Sequence, residues 1–455
     1  MRLLPTLLAL AILSAPAAPL AGSELPKSVR WLREYIQIDT TNPPGGERPA
    51  AEYLAAILER EGLESELLES PEGRMSLYAR WAAPGSGGRA LVLLHHIDVV
   101  PAEEVWSEEP FSGRFKEGDV WGRGAIDAKG LGIAQLAALV SLRREGVELD
   151  RDVIFLAVAD EELGGGQGAA WLLEAHPELF EGVEAVLNEG GANRAIGGRL
   201  VYWGLEVAQK RPLWLEVTTR GTGGHGSTLM PGSPTHRLIL ALARLVERPL
   251  EYRLSEPARM HLGGLAELEG ERTQATFARL GEILAGEDPA SELPPGWPAV
   301  LVDTVQVTEI QNGKGRNVIA PEAIAYVDIR LLPDTDAQAF LAGVVETLGE
   351  RVGVELVLSS PPAPPSPVDT PFFKALETAL AVRAPVLPVM ISGTTDSRYF
   401  RERGIAAYGF SPFGIGAEEM RGIHTADESM PVDAFLRGIE TLRRVLLACG
   451  RSGRE

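Results

Sequence analysis

The residues able to do chemistry in this 455-residue chain are a few acids and histidines that stand just beyond apolar runs. His96 and Asp98 lie two apart at the end of the run 89–97, so period-two geometry puts both on one face of a strand. A carboxylate beside a metal-ligating imidazole is the usual way to set ring tautomer and orientation. His95 points the other way and reads as structural. Asp160-Glu161-Glu162 follows a second apolar run, 152–159. Three consecutive carboxylates repel one another unless something positive sits among them. A divalent cation answers that need, and a solvated acidic turn is the plain alternative. In the metal reading, one glutamate binds the ion while its neighbour, turned away, takes a proton from water.

Four further positions join these. Asp127, in the Gly-rich stretch 122–130, suits a metal ligand or an ordinary helix N-cap. Glu189, in Asn188-Glu189-Gly190-Gly191, is another acid at a strand end, and His424 is the only histidine of the last part of the chain. Two histidines and several carboxylates at strand ends of one sheet suit a site for two Zn2+ ions. A nitrogen and oxygen ligand set without thiolate also admits Co2+ or Mn2+. His225 sits among glycines at 221–227, which let backbone approach something closely, and by itself reads as a loop histidine.

The elements that must position these residues follow from periodicity. A helix is predicted at 49–61, strands at 77–81 and 89–97, a helix at 130–144, a strand at 152–159, a helix at 167–175 and a short strand at 185–187. Strands alternating with helices predict an α/β domain with a mainly parallel sheet covered on both faces. Such sheets carry their sites at the C-terminal ends of strands, which puts 96–98, 160–162 and 188–189 on one rim. Beyond Lys210 the pattern changes to strand 214–219, helix 235–246, strands 302–310 and 323–331, helix 337–348 and strand 355–359. That β-α-β-β-α-β order matches a small ferredoxin-like unit. The polar, partly helical stretch 251–297 reads as an insertion within it. After the proline-rich linker 361–365 the α/β pattern resumes with helix 371–382, strand 405–410 and helix 432–448. The division expected is therefore a leader at 1–22, a first catalytic part at 23–209, a lid or dimerisation unit at 210–360 and a second catalytic part at 361–455.

Composition narrows the class of function. Hydrophobic residues are 45% and charged residues 23%, ordinary for a globular protein. The formal net charge of −20 opposes nucleic acid, whose phosphates need a basic face, and opposes an anionic membrane surface. Arg2, the apolar run 3–13 and the small residues and prolines at 14–22 have the shape of a cleaved secretory signal, too short for a transmembrane span. Periplasmic or secreted location is expected on that leader alone. The single cysteine, Cys449, has no disulfide partner within the chain and cannot build a thiolate metal site.

Taken together, the stretches 95–101 (HHIDVVP), 110–113 (PFSG), 121–130 (WGRGAIDAKG), 159–164 (ADEELG), 188–191 (NEGG), 393–400 (GTTDSRYF) and 424–431 (HTADESMP) resemble one family. It is that of the co-catalytic zinc metallopeptidases, which include aminoacylase, glutamate carboxypeptidase, acetylornithine deacetylase and succinyl-diaminopimelate desuccinylase. The resemblance is strongest to the carboxypeptidase S-like branch, with its N-fatty-acyl-amino acid hydrolases. It implies that His96 and Glu189 hold one zinc, Glu162 and His424 the other, and that Asp127 bridges the two. Asp98 would orient His96, and Glu161 would be the general base. His225 would be a lid histidine that reaches the partner's site in a homodimer. Asn317 and Arg330 would handle the substrate carboxylate, and Gly393, Thr394, Thr395 and Asp396 would belong to a substrate-side loop. The implied activity is zinc-dependent cleavage of an amide bond next to a free carboxylate, in a small peptide or an N-acyl amino acid. A dipeptidase or biosynthetic deacylase, and a metal-binding protein without catalysis, are the competing expectations. The leader weighs against biosynthesis, and an intact Glu161 with a full ligand set weighs against lost catalysis. The insertion at 251–297 departs from the family's compact lids.

Overall fold

A computed structural model describes residues 25–451 except 104, 314, 417–419 and 421. The expected leader at 1–22 lies outside the described residues. Among those residues no helix is long and apolar enough to cross a membrane.

The large sheet runs in the spatial order Ser65–Glu69, Met75–Trp81, Asp152–Val158, Ala90–His96, Val183–Asn188, Ala406–Gly409, Arg199–Gln209, Val386–Ile391. Its centre, from Asp152–Val158 to Ala406–Gly409, is parallel throughout. Every residue of Ala90–His96 and of Asp152–Val158 is buried, because helices cover both faces. One face packs the helices Lys27–Ile36, Arg48–Arg60, Lys129–Arg144, Pro371–Ala381 and Val432–Gly450. The other carries Ala169–Ala175 and Ser397–Glu402. His95 faces the first of these layers, its ring 5.2 Å from that of Phe155. A Cβ on Gly132 would lie 2.3 Å from the His95 ring, so that helix approaches the sheet only because this position is glycine.

The chain leaves the sheet through Lys210 and continues directly into a second, four-stranded sheet, ordered Thr304–Asn312, Glu322–Leu331, Arg211–Arg220, Gly353–Ser359 and antiparallel throughout. Burial alternates residue by residue along Glu322–Leu331, as it must when one face is packed and the other is not. The helices Pro234–Val246 and Ala337–Leu348 supply that packing. This is the ferredoxin-like order.

The apolar side of the stretch 251–297 packs on the large sheet, and Arg253 at its start pairs with Asp303 at 2.9 Å, beside the small one. The helix Glu256–Leu268 of this stretch places Ala258, Leu262, Leu265 and Ala266 on one stripe. The stripe meets Tyr202, Ala208, Leu387, Val389 and Met390 of the large sheet. The strands Arg199–Gln209 and Val386–Ile391 had no counterpart among the expected elements, so the surface that receives the insertion was not foreseeable. Gly264 sits where a Cβ would come within 2.0 Å of Leu387, which sets the closeness of that contact.

Candidate active site

The C-terminal ends of the parallel strands carry the cluster. His96 is the last residue of Ala90–His96, Glu161 and Glu162 open a 3-10 turn just past Asp152–Val158, and Glu189 follows Val183–Asn188. Asp127 and His424 arrive on two loops. One carboxylate lies between the two rings: Asp127 Oδ1 is 3.0 Å from His96 Nε2, and Asp127 Oδ2 is 3.3 Å from His424 Nε2. Glu189 Oε2 lies 3.6 Å from the His96 nitrogen, and Glu162 Oε2 lies 3.3 Å from that of His424. Ligand-type atoms of His96, Glu161 and Glu189 lie within 4.8 Å of one another, as do those of His96, Asp127 and Glu162.

The electrostatics are those of crowded carboxylates and imidazoles. Burial raises the Glu189 carboxyl to about 7, and Asp127 adds to that. Burial, with the charge of Glu189 next, pushes Glu161 well above the usual carboxylate range. Burial alone would also raise Asp127, but hydrogen bonds from His424 and His96 bring it well below the usual range. Burial opposes charge on His96, yet Glu189, Asp127 and Asp98 outweigh it and raise the ring well above its ordinary value. Asp127 and Glu162 raise His424 to about 10.

This donor set fits divalent cations. Four carboxylates and two imidazoles converge without thiolate, and Glu162 Oε1 is buried with no protein partner. The two imidazoles would have to be neutral and the carboxylates ionised to bind them, and bound cations favour both states.

Asp98 is fully buried, and its main-chain carbonyl takes the hydrogen bond from His96 Nδ1 at 2.9 Å; its carboxylate oxygen is 3.6 Å away. The carboxylate instead accepts the amide N–H groups of Glu161 and Glu162, both at 3.1 Å, and Asn42 Nδ2 at 2.8 Å. It therefore holds the turn that presents the two glutamates. The three acids at 160–162 separate in space. Asp160 turns away into an ion pair with Arg74 at 2.8 Å, and Arg74 is paired also with Glu47. The N-cap reading of Asp127 is not realised: the helix Lys129–Arg144 begins after Ala128, with no side-chain cap.

The remaining candidates lie outside the imidazole and carboxylate cluster itself. His225 is exposed on a two-residue strand paired with Val318–Ile319, and its Nδ1 lies 2.7 Å from Ser227 Oγ. Asn317 is exposed and accepts the Gly226 amide through its carbonyl at 2.6 Å. The Arg330 guanidinium is bidentate to Asp328 of its own strand, at 2.7 and 3.0 Å, and lies over Trp214. Gly393 and Thr394 follow Val386–Ile391, and Thr394 Oγ accepts from Gln209 and from Arg398. Asp396, in the same loop, has both carboxylate oxygens buried without a protein partner. It packs on Gly165, where a Cβ would come within 2.1 Å. Asn42, Arg123 and Glu428 are site-building residues that motif reading did not single out, whereas Asp396 closes the 393–396 stretch that the resemblance gives to the substrate side. Arg123 and Glu428 lie inside stretches that carried the resemblance, which was the available signal.

A mainly parallel sheet with an imidazole and carboxylate cluster on its C-terminal rim, and an α+β unit inserted beside it, defines a metallopeptidase-type hydrolase. The model of the Peptidase family M20/M25/M40 matches residues 92–448, and the chain belongs to that family. It is similar to Aminoacylase-1 of Sus scrofa, 28% identical over 92% of this chain and 95% of that protein. It is also similar to the N-fatty-acyl-amino acid synthase/hydrolase PM20D1 of Xenopus tropicalis, 31% identical over 76% of this chain and 69% of that protein. The M20 family metallo-carboxypeptidase Sso-CP2 from Sulfolobus solfataricus shares the fold, with a TM-score of 0.75 and 20% identity over 94% of this chain and 100% of that one. The protein is a metal-dependent enzyme that hydrolyses amide or peptide bonds.

Proposed function

We propose that this enzyme releases an amino acid from an N-acyl amino acid or from the C-terminus of a small peptide, using two Zn2+ ions. The observation that carries the proposal is the Asp127 carboxylate, which turns one oxygen to His96 and the other to His424, with Glu189 and Glu162 on the two flanks. In this reading His96 and Glu189 hold one ion, Glu162 and His424 the second, and Asp127 both. When bound, the ions supply Lewis acidity, polarising the scissile carbonyl and making an attacking water acidic near pH ~7.

The chain's own groups do the rest. Glu161 stands beside the ligand set without being needed in it, and its amide is anchored to Asp98. It takes the proton of the attacking water and returns it to the leaving nitrogen. His225 would donate a hydrogen bond to the developing oxyanion. Its exposed position on the inserted unit supports a role in a partner subunit's site, and hence a homodimer. Asn317, Gly393 and Thr394 would line the substrate, and Arg330 would have to exchange part of its contact with Asp328 for a substrate carboxylate. The leader at 1–22 supports export, which N-terminal sequencing of secreted protein would check.

The test is incubation of the zinc-loaded enzyme with N-acetyl amino acids, N-fatty-acyl amino acids and dipeptides, with and without chelator. Chelator-sensitive release from an N-acyl class is expected. Release from dipeptides alone would replace the acyl reading with a dipeptidase.

A further inference from the structure

The loops that bring Asp127 and His424 to the cluster are about 300 residues apart in the chain, and one buried side chain joins them. Glu428 is fully buried, and its carboxylate accepts four hydrogen bonds. Oε1 takes the amides of Ile126 at 2.7 Å and Asp127 at 3.2 Å, and Oε2 takes the amide of Gly124 and Arg123 Nη1, both at 3.0 Å. The same Arg123 nitrogen donates to the Thr425 carbonyl at 3.1 Å, one residue past His424. Main chain continues the seam, with the Gly122 amide on the Glu428 carbonyl at 2.9 Å and Trp121 paired with Ser429.

The loop so held is not relaxed. His424 and Asp427 have φ of 60° and 63°, a left-handed conformation that non-glycine residues keep only when their surroundings impose it. Asp427 is tied to Ser107 by two 2.7 Å hydrogen bonds. Further ties run through Arg123 and Glu428.

We infer that Glu428, with Arg123 as its counter-charge, is a positioning residue that sets the distance between the Asp127 carboxylate and the His424 ring. It rests on the metal-site reading above and adds a dependence to it: the His424-side ion is held only as well as this carboxylate holds the two loops together. Glu428 touches neither ion nor substrate. Four donors converge on it, so a carboxylate is required. A glutamine of the same shape would turn an NH2 group against N–H donors.

The test compares Glu428→Gln with Asp152→Asn. Asp152 is also buried, accepts a backbone amide from Ala83 at 2.8 Å and pairs with Arg80 at 2.7 Å, but lies at the opposite end of its strand from the cluster. Zn2+ binding to the apo-proteins is measured by calorimetry, with thermal melting of each. The expected result is two tight ions for the parent and for Asp152→Asn, and for Glu428→Gln one tight ion and one weakened at least tenfold. Arg123→Lys keeps the charge but loses the planar guanidinium, whose Nη1 bonds both Glu428 and Thr425 and whose Nη2 reaches the Pro101 carbonyl at 3.4 Å, and should weaken the same ion to a smaller degree. Full affinity for both ions in Glu428→Gln overturns the inference. So does an equal loss in Glu428→Gln and Asp152→Asn, because that marks a structural effect. If the parent binds two ions yet hydrolyses nothing, the proposed substrate falls, and the binding comparison still decides the role of Glu428.

Discussion

Glu161 and Glu162 are adjacent on a 3-10 turn whose two amides Asp98 holds at 3.1 Å, and the proposed function gives them different tasks. Their roles separate by measurement. Glu161→Gln keeps the shape but cannot take a proton, so kcat should fall ~10²–10⁴-fold, with two ions still bound by metal analysis. Loss of metal in that variant would instead make Glu161 a ligand. Asp98→Asn keeps an acceptor oxygen for only one of the two glutamate amides and turns an NH2 group against the other, which loosens the turn. Metal affinity should fall about 10–100-fold, as for other groups that support ligands, measured by competition with a chromogenic chelator. The His96 ring itself should stay ordered in that variant, because its Nδ1 bonds the main-chain carbonyl of residue 98.

Among the elements, the inserted helix Glu256–Leu268 makes a prediction about pH. It half-buries His261, whose pKa is pushed down to about 4 by desolvation, partly offset by a hydrogen bond to the main chain of Met390. In the unfolded chain the ring titrates near ~6.5. The folded form therefore binds its proton less well, and the stability from keeping the ring neutral is complete above pH ~6.5. It is lost as pH falls from ~6.5 toward 4, by up to about 3 kcal/mol for this one group. His261→Leu should flatten the denaturation midpoint over that range while leaving it nearly unchanged at pH 8. An unaltered slope would mean that the ring reaches solvent before the helix unpacks.

At the scale of the whole molecule, the question is where His225 acts. If it serves a partner's site, His225→Ala and Glu161→Ala are each inactive, but mixed dimers contain one intact site. Random reassortment of equal amounts should restore about 25% of parent activity in a twofold-symmetric dimer. Light scattering should show the dimer in every sample. Activity near zero after verified subunit exchange would place His225 in its own subunit's site, whereas an active His225→Ala homodimer would place it outside catalysis.

Residue types and strand-end positions make most of the cluster legible in the amino-acid sequence. The runs 89–97 and 152–159 are apolar without alternation and short, the pattern of strands in a sheet covered on both faces, so the rim where His96, Glu161 and Glu162 lie follows from local pattern. The alternating strand at 323–331 likewise marks the second sheet. Tertiary structure alone decided three other matters. That the insertion covers the large sheet depended on Arg199–Gln209 and Val386–Ile391, whose burial comes from the very helices that pack on them. That Asp127 lies between two rings and is not a helix cap depended on loops meeting across about 300 residues. That Glu428 fastens those loops was invisible for the same reason: a glutamate after a loop is ordinarily solvated, and only the arrival of three amides and a guanidinium makes it the buried acceptor that joins them. Short-range periodicity writes which face of an element is buried, but the partner it is buried against is a property of the folded chain.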